Sequence, residues 1–367
     1  MSQPIPMVDP AAEYRSLKPE IDAAVGRVLA SGRYVLGPEG EALERELANY
    51  TGAAHAVGVN SGTDALHLAL VAAGIGPGDE VIVPAFTFFA SAEAVSYTGA
   101  TPVFADIDPA TFNLDPGCFE NSLSKRTKAV IAVHLFGQCA ALERIAETCR
   151  RKNIFLVEDV AQALGADYDG RRAGSWGDFG CFSFYPTKNL AAAGDAGLVT
   201  ARDGKHAATL RMLRHHGSRQ TYLHERVGWN SRLDELQAAV LRVKLVHLER
   251  FNEARRTVAA RYRALLSGAQ LVLPAEHGRG RHVYHQFTIR SPRRDALREA
   301  LAREGIASSV FYPIPLHRQP AYAAANPGLE LPVSEASSRE VLSLPINPLL
   351  DAACVERIGA CVREALR

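Results

Sequence analysis

Two short stretches of this chain carry side chains suited to amine chemistry. The first is Gly180-Cys181-Phe182-Ser183-Phe184-Tyr185-Pro186-Thr187-Lys188-Asn189-Leu190. Its aromatic and small residues look like a strand that stops at Pro186, with a lysine set just beyond and an Ala/Gly-rich tract, Ala191 to Gly197, after it. A lysine held against the end of a buried strand is poorly solvated. Desolvation disfavours the ammonium form, lowers the pKa and leaves a usable nucleophile and proton carrier. A lone lysine beside a strand end more often reaches out to water, so the reading turns on its companions.

The companion stretch is Ile154-Phe155-Leu156-Val157-Glu158-Asp159, followed by Val160-Ala161-Gln162. Four apolar residues bounded by polar ones read as a buried parallel strand. The two acids fall at its carboxyl end, where open α/β sheets bind ligands. Alone, Glu158-Asp159 could cap a helix or hold Mg²⁺. With a desolvated lysine nearby, an aspartate there suits the protonated ring nitrogen of pyridoxal phosphate, which needs such a partner to draw electrons away from the reacting carbon.

Val157-Glu158-Asp159-Val160-Ala161-Gln162-Ala163 and Phe182 to Leu190 resemble the two signature segments of the DegT/DnrJ/EryC1/StrS family. These are fold-type I, pyridoxal-phosphate-dependent aminotransferases acting on keto sugars of nucleotide sugars, and the resemblance runs from Val8-Asp9 to Leu344-Pro345. It implies that Lys188 carries the cofactor covalently and later moves the proton. Asp159 would pair with the ring nitrogen, Gln162 lie near the phenolic oxygen, and Phe88 stack on the ring. Gly62, Thr63 and Ser183 would hold the phosphate. Asn230, in Gly228-Trp229-Asn230-Ser231-Arg232-Leu233-Asp234, would reach the neighbour's phosphate across a homodimer interface. The expected substrates are glutamate, as amino donor, and a nucleotide-linked keto sugar. Tyr34, Arg232, Tyr312 and His317 are the expected substrate contacts, the last two in a loop that resembles the family's substrate side.

The His216-Gly217-Ser218-Arg219 and Tyr312 to His317 loops look more like the branch that aminates C3 than the C4 branch. Ile346-Asn347 departs from the C3 pattern, in which a histidine often follows Leu-Pro. A C4 or aminocyclitol aminotransferase is the alternative. A dehydratase of the family would carry histidine in place of Lys188. A regulatory protein would not need the lysine, aspartate and glutamine together. A nicotinamide dehydrogenase would want Gly-x-Gly-x-x-Gly after its first strand, and neither Gly58 nor Gly62 starts one.

The elements that must position these residues alternate. Strand-like segments at 56–59, 80–84, 101–106, 129–134, 154–159 and 197–200 are separated by helical ones at 39–50, 65–73, 140–152 and 205–214, and a first helix is expected over 16–31. This alternation predicts an α/β fold: a mostly parallel central sheet with helices on both faces. The Ser61-Gly62-Thr63 turn opens a helix and could bind an anion with its free N–H groups. A polar, mobile loop is expected at 216–222, then one long helix from 228 to 265. Beyond about 250 the pattern becomes a smaller α+β unit, with alternation over 282–290, helix 294–304, strand 306–312, helix 334–342 and helix 351–366. The expected division is an N-terminal segment and large cofactor-binding domain, 1–248, and a small C-terminal domain, 249–367.

Composition bounds the rest. The 367 residues, 47% of them apolar, suffice for a large core, and 41 basic against 40 acidic residues leave a net charge of +1. Such a balance offers no electrostatic footprint for nucleic acid or an anionic membrane. Six scattered cysteines without a CxxC pair read as reduced thiols. No leader and no run of 18 apolar residues appears, so a soluble, unprocessed cytoplasmic protein is expected, with no metal.

Overall fold

In the computed structural model, which describes residues 3–367, short Val-, Ile- and Ala-rich runs form the strands. These are β1 (His55–Val59), β2 (Glu80–Pro84), β3 (Thr101–Ala105), β4 (Thr127–Val133) and β5 (Phe155–Asp159), then a ribbon of β6 (Asp167–Tyr168) and β7 (Arg171–Arg172), then β8 (Phe179–Ser183) and β9 (Gly197–Ala201). All but the ribbon join one seven-stranded sheet, ordered β1-β9-β8-β5-β4-β2-β3. Strand β9 pairs antiparallel with both β1 and β8, while every pairing from β8 to β3 is parallel. The sheet is therefore mostly parallel, with one strand running against the rest.

Alternation along each strand sends side chains to opposite faces. Val57, Val83, Ile131 and Val157 pack under helices Gly62–Ala72, Ala90–Tyr97 and Gly204–Leu213. Ala56, Ile82, Val130 and Leu156 pack against Pro38–Thr51, Leu142–Lys152 and Glu235–Leu245. Each fully buried Val, Leu or Ile contributes roughly 1.5–3 kcal/mol, so both faces anchor the strand ends where the chemical groups lie.

A hairpin of β10 (Ser218–Gln220) and β11 (Leu223–His224) takes the place of the loop expected at 216–222. The helix expected over 228–265 is two, Glu235–Leu245 and Leu248–Leu266. His247 N–H donates to Lys244 O at 3.0 Å, an i→i−3 closure that tightens the turn between them. The second helix leads into a separate apolar core containing Val258, Tyr262, Leu297, Val355 and Ile358, built on antiparallel β12 (Phe287–Arg290) and β13 (Val341–Leu344). Ile5 also packs there, its N–H donating to Gly305 O at 2.9 Å.

Sequence periodicity misled in this second core. The segment 306–312 forms only isolated bridges, Ile306 with Ile5 and Ser309 with Ser343, and Pro313 and Pro315 end any pairing. The alternation over 282–290 yields a strand only from Phe287. The helix expected over 334–342 runs Pro332–Glu340, and Val341-Leu342-Ser343-Leu344 leaves it to become β13, because β12 offers a ladder and an apolar face. The first helix starts at Pro10, six residues early, where Asp9 Oδ1 accepts Ala12 N–H at 2.8 Å.

Helix Gly62–Ala72 sets its first turn directly on β8 and β9. A Cβ on Gly62 would lie 2.6 Å from Ser183 Cβ, and one on Gly197 would lie 2.2 Å from Ser61 O. Gly197→Ala should therefore lower the urea midpoint, with a loss of about 1–3 kcal/mol. Gly26→Ala, in helix Pro10–Ser31 with open space around it, should raise it by roughly 0.5–1 kcal/mol. Equal midpoints for the two variants would contradict this account of the close approach.

Candidate active site

The carboxyl ends of β1, β2, β5 and β8 surround a cavity of about 390 Å³. Asp159 and its neighbour Glu158 show how one strand end serves two purposes. Adjacent strand residues point to opposite faces. Glu158 turns inward, fully buried, and accepts N–H bonds from Gly174 at 2.8 Å and from Trp176 and Gly177 at 2.7 Å. Its fourth partner is His134 Nε2 at 3.0 Å, and because His134 Nδ1 accepts Ala140 N–H, Nε2 is the protonated nitrogen. Asp159 turns toward the cavity. Ser91 Oγ donates to its Oδ2 at 2.8 Å and Ala161 N–H to its Oδ1 at 3.2 Å, which leaves acceptor capacity toward the cavity.

Lys188 lies on the loop after β8, with Lys188 N–H donating to Tyr185 O at 2.8 Å. Its amine opens onto the cavity while protein packs around the rest of the side chain. Burial pulls its pKa down to about 8, against the opposing pull of Asp159. A lysine at that value has a substantial neutral fraction near neutrality, as a nucleophile and proton shuttle require.

A third wall is built for an anion. Ser61 caps helix Gly62–Ala72, its Oγ accepting Asp64 N–H at 3.1 Å. The Gly62 and Thr63 N–H groups belong to the first turn, which no helical carbonyl can satisfy. They line the cavity with the Ser183 side chain opposite. The missing Cβ of Gly62 leaves the cradle open.

On the remaining side, Phe88 and Tyr312 face each other with ring centroids 6.0 Å apart. Gln162 is fixed end to end: Oε1 accepts Phe136 N–H at 2.7 Å, and Nε2 donates to Tyr312 Oη at 3.0 Å. The Tyr312 hydroxyl thus keeps its own hydrogen for the cavity. Burial pushes this phenol's pKa up, so it stays protonated.

The cavity brings together Gly62, Thr63, Phe88 and Asp159 with Gln162, Ser183, Lys188 and Tyr312. It does not take in Tyr34, Asn230, Arg232 or His317. Tyr34 is exposed, its Oη 3.4 Å from Leu29 O, and Arg232 Nη1 lies 3.4 Å from His215 Nδ1. Asn230 is exposed and bridges to His215. His317 is buried with Nε2 3.0 Å from Glu335 Oε1, so its ring fastens the turn at 316–318 to helix Pro332–Glu340 of the same chain. Two residues of the site escaped the sequence reading, Ser91, buried behind Asp159, and His285, on the cavity wall. Ser91 sits in the first turn after the Phe86 to Phe89 run, where only a helix start was legible. His285 shares the odd-numbered parity of Val283, Phe287 and Ile289, so a polar residue on an apolar stripe was its one signal.

The donor set fits pyridoxal phosphate: an amine to condense with its aldehyde, a carboxylate for its ring nitrogen, rings to flank it and a cradle for its phosphate. Among the described residues, no group of His, Cys, Asp and Glu is arranged to hold a metal ion, and no helix is long and apolar enough to cross a membrane.

Residues 15–363 match the DegT/DnrJ/EryC1/StrS aminotransferase family, and the chain belongs to it. The chain is 48% identical over 362 residues to a UDP-N-acetyl-3-dehydro-alpha-D-glucosamine 3-aminotransferase of Acidithiobacillus ferrooxidans, covering 99% of this chain and 98% of that one. It is 49% identical to a dTDP-3-amino-3,4,6-trideoxy-alpha-D-glucose transaminase of Streptomyces venezuelae, covering 98% and 96%. A Geobacillus stearothermophilus relative, 47% identical with 94% of each chain covered, bears the name pleiotropic regulatory protein. The crystal structure of S. venezuelae DesV with a ketimine intermediate superposes with a TM-score of 0.98 at 49% identity, covering 100% of both chains.

Lys188 also sets a pH dependence. Its folded pKa lies below the ordinary 10.5, so between about 8 and 10.5 the unfolded chain holds the extra proton. The cofactor-free fold should then gain stability as pH rises through that window. Denaturant midpoints from pH 7.5 to 10 should show this rise, and Lys188→Met should flatten it. An equal slope in both proteins would refute the assignment.

Proposed function

We propose that this chain is a pyridoxal-phosphate-dependent aminotransferase that moves an amino group from glutamate to C3 of a UDP- or dTDP-linked keto sugar. The observation that carries the reading is the facing of Lys188 and Asp159 across one cavity, with an anion cradle beside them. The C3 position and the nucleotide classes rest on the names of the A. ferrooxidans and S. venezuelae relatives. A cytoplasmic location accords with nucleotide-linked substrates.

When bound, the cofactor supplies an electron sink for the carbon that loses or gains a proton. The chain's own residues do the rest. Lys188 would hold the cofactor through its amine and, when free, would serve as the base and acid that moves the proton at the reacting carbon. Asp159, fixed by Ser91 and Ala161, would pair with the ring nitrogen and keep a proton there. Gln162, locked by the Phe136 N–H, keeps Tyr312 in place. Phe88 and Tyr312, their rings facing each other across this wall, would flank the cofactor ring.

We also propose that the active unit is a homodimer with shared sites. Asn230, Arg232 and Tyr34 stand outside this chain's own cavity, on a surface that also exposes Tyr222 (93%) and Val227 (88%). The backbone ties these parts together, as Glu235 N–H donates to Tyr34 O at 3.0 Å and Asn230 bridges to His215 before the β10–β11 hairpin. A two-fold interface over this surface would let each subunit lend Asn230 and Arg232 to the other's site.

Asp159→Asn, nearly isosteric, should fold normally and retain cofactor while turnover falls by about 10³-fold or more, the scale of large electrostatic losses. Near-normal amino-sugar formation by mass detection would remove Asp159 from its role. A purely regulatory role, as the Geobacillus relative's name suggests, predicts no product from any UDP- or dTDP-keto sugar, and no cofactor fixed to Lys188 by borohydride.

Mixing inactive Lys188→Ala with weakened Asn230→Ala under subunit exchange tests the shared site. Half of the mixed dimers' sites would carry neither lesion, so activity should exceed that of both parents. No gain despite confirmed exchange would exclude sharing through Asn230.

A further inference from the structure

Gln286 lines the same cavity as Lys188 and is 8% exposed, yet the chemistry at the lysine leaves it unused. Its backbone is held by the peptide that also holds Gln162. Phe136 N–H donates to Gln162 Oε1 at 2.7 Å, and Gln286 N–H donates to Phe136 O at 3.2 Å. Gln162 in turn donates to Tyr312 Oη at 3.0 Å. Gln286 therefore belongs to a wall that is already fixed, and its carboxamide is what that wall offers a ligand.

A chain of contacts sets which way that carboxamide turns. Asn189 donates through Nδ2 to Val283 O at 3.1 Å and to Asn252 Oδ1 at 2.8 Å. A backbone carbonyl only accepts, so Val283 fixes the nitrogen end of the Asn189 amide. Asn189 Oδ1 is then the atom 3.1 Å from His285 Nδ1, and an amide oxygen also only accepts, so Nδ1 carries a proton. Burial, then the cationic Lys188 and Arg255, push the pKa of this ring well below its ordinary value, so it is neutral with its lone pair on Nε2. Gln286 Nε2 lies 3.5 Å from that lone pair. The distance is too long for a firm bond. It still decides the polarity, because an amide oxygen there would set lone pairs face to face. The amide thus turns its nitrogen to His285 and its oxygen away. Among the described residues, no group donates to Gln286 Oε1. A buried acceptor without a donor is unfavourable unless a ligand supplies one.

The two substrates differ in what they bring to such an atom. A carboxylate of the amino donor only accepts, and an amide oxygen turned toward it repels it. A sugar hydroxyl donates, and its own lone pairs can take the amide's second N–H. We propose that Gln286 is a specificity-determining residue for the keto sugar: its Oε1 accepts a hydrogen bond from a ring hydroxyl, and the Asn189–His285 pair keeps that oxygen turned to the substrate. A site that hydrogen-bonds a substrate hydroxyl rejects an analogue lacking it, since its own polar group is then left unpaired. The inference rests on the aminotransferase reading and names which of the two substrates this wall reads.

The test follows the cofactor-loaded enzyme by absorbance in single turnovers, with glutamate alone and, in the amine-loaded form, with a keto sugar alone. Gln286→Met keeps the side chain's length and removes both polar ends. The second-order rate constant with the keto sugar should fall about tenfold or more, while that with glutamate changes less than about threefold. Equal losses in both reactions would mark a merely structural role and overturn the proposal. A loss confined to glutamate would place the donor's carboxylate there instead, and no loss in either would remove Gln286 from the site. A measurement on the unsubstituted enzyme needs no variant to fold: among keto sugars lacking one ring hydroxyl at a time, one should react about tenfold or more slowly than its parent sugar. In Gln286→Met the same analogue should carry no further penalty, because the partner of the missing hydroxyl is already gone. Tolerance of every deoxygenated sugar by the unsubstituted enzyme would overturn the proposal, as would a full penalty retained in Gln286→Met. An enzyme that takes no nitrogen from glutamate and gives none to any keto sugar would overturn the aminotransferase reading, and this inference with it.

Discussion

The constraint on which the rest of this protein depends is the desolvation of one amine. Lysine prefers water, and a chain that keeps Lys188 from it must supply a reason at every side. Here the reasons are a strand that ends at Ser183, a turn through Pro186, and the wall of Asn189, His285 and Tyr312 behind the cavity. A single carboxylate, Asp159, opposes the desolvation without cancelling it. The lysine is left poised between charge states, and the sheet's two apolar layers provide the rigidity that holds it there.

Glycine makes the second condition possible. The helix that offers its N–H groups to an anion must come down onto β8 and β9, and two missing side chains, at Gly62 and Gly197, permit that approach. The same contact fixes the distance between the anion cradle and the lysine loop. Binding of a phosphate and reaction at an amine are thereby set by one packing event.

Much of this was legible in the residues. The strand ends carrying Asp159 and Lys188 announced themselves by apolar runs that stop in polar ones, and the parallel order followed from alternating periods. The second core was harder. The segment at 341–344 continues a helix-like pattern and becomes a strand because of β12, a partner some fifty residues away whose influence no local window contains. The turn at His247 has no glycine or proline to mark it. Of the residues implied by the family resemblance, Gln162 and Ser183 fell into the cavity, whereas Tyr34, Arg232 and Asn230 did not. Their place outside the cavity leaves no periodic trace in the sequence. His285 was visible only as a polar residue on an apolar stripe, a signal that packing histidines also give.

The pairing of Glu158 with Asp159 has an effect on how errors are filtered. The two acids are consecutive, chemically alike, and face opposite ways: one into a dry nest of three N–H groups and a histidine, the other into the cavity. A slip of one residue in β5 that brings Val157 to the place of Glu158 would turn the inward acid out and leave the nest facing an apolar side chain. Such a misthreaded sheet would strand several buried donors, each a cost of roughly 1–3 kcal/mol. The inward acid therefore acts as a proofreader for the outward one. Chains that settle into a stable sheet are, by the same act, chains whose aspartate is aimed correctly, so quality control in the cell that removes unstable copies also removes inactive ones.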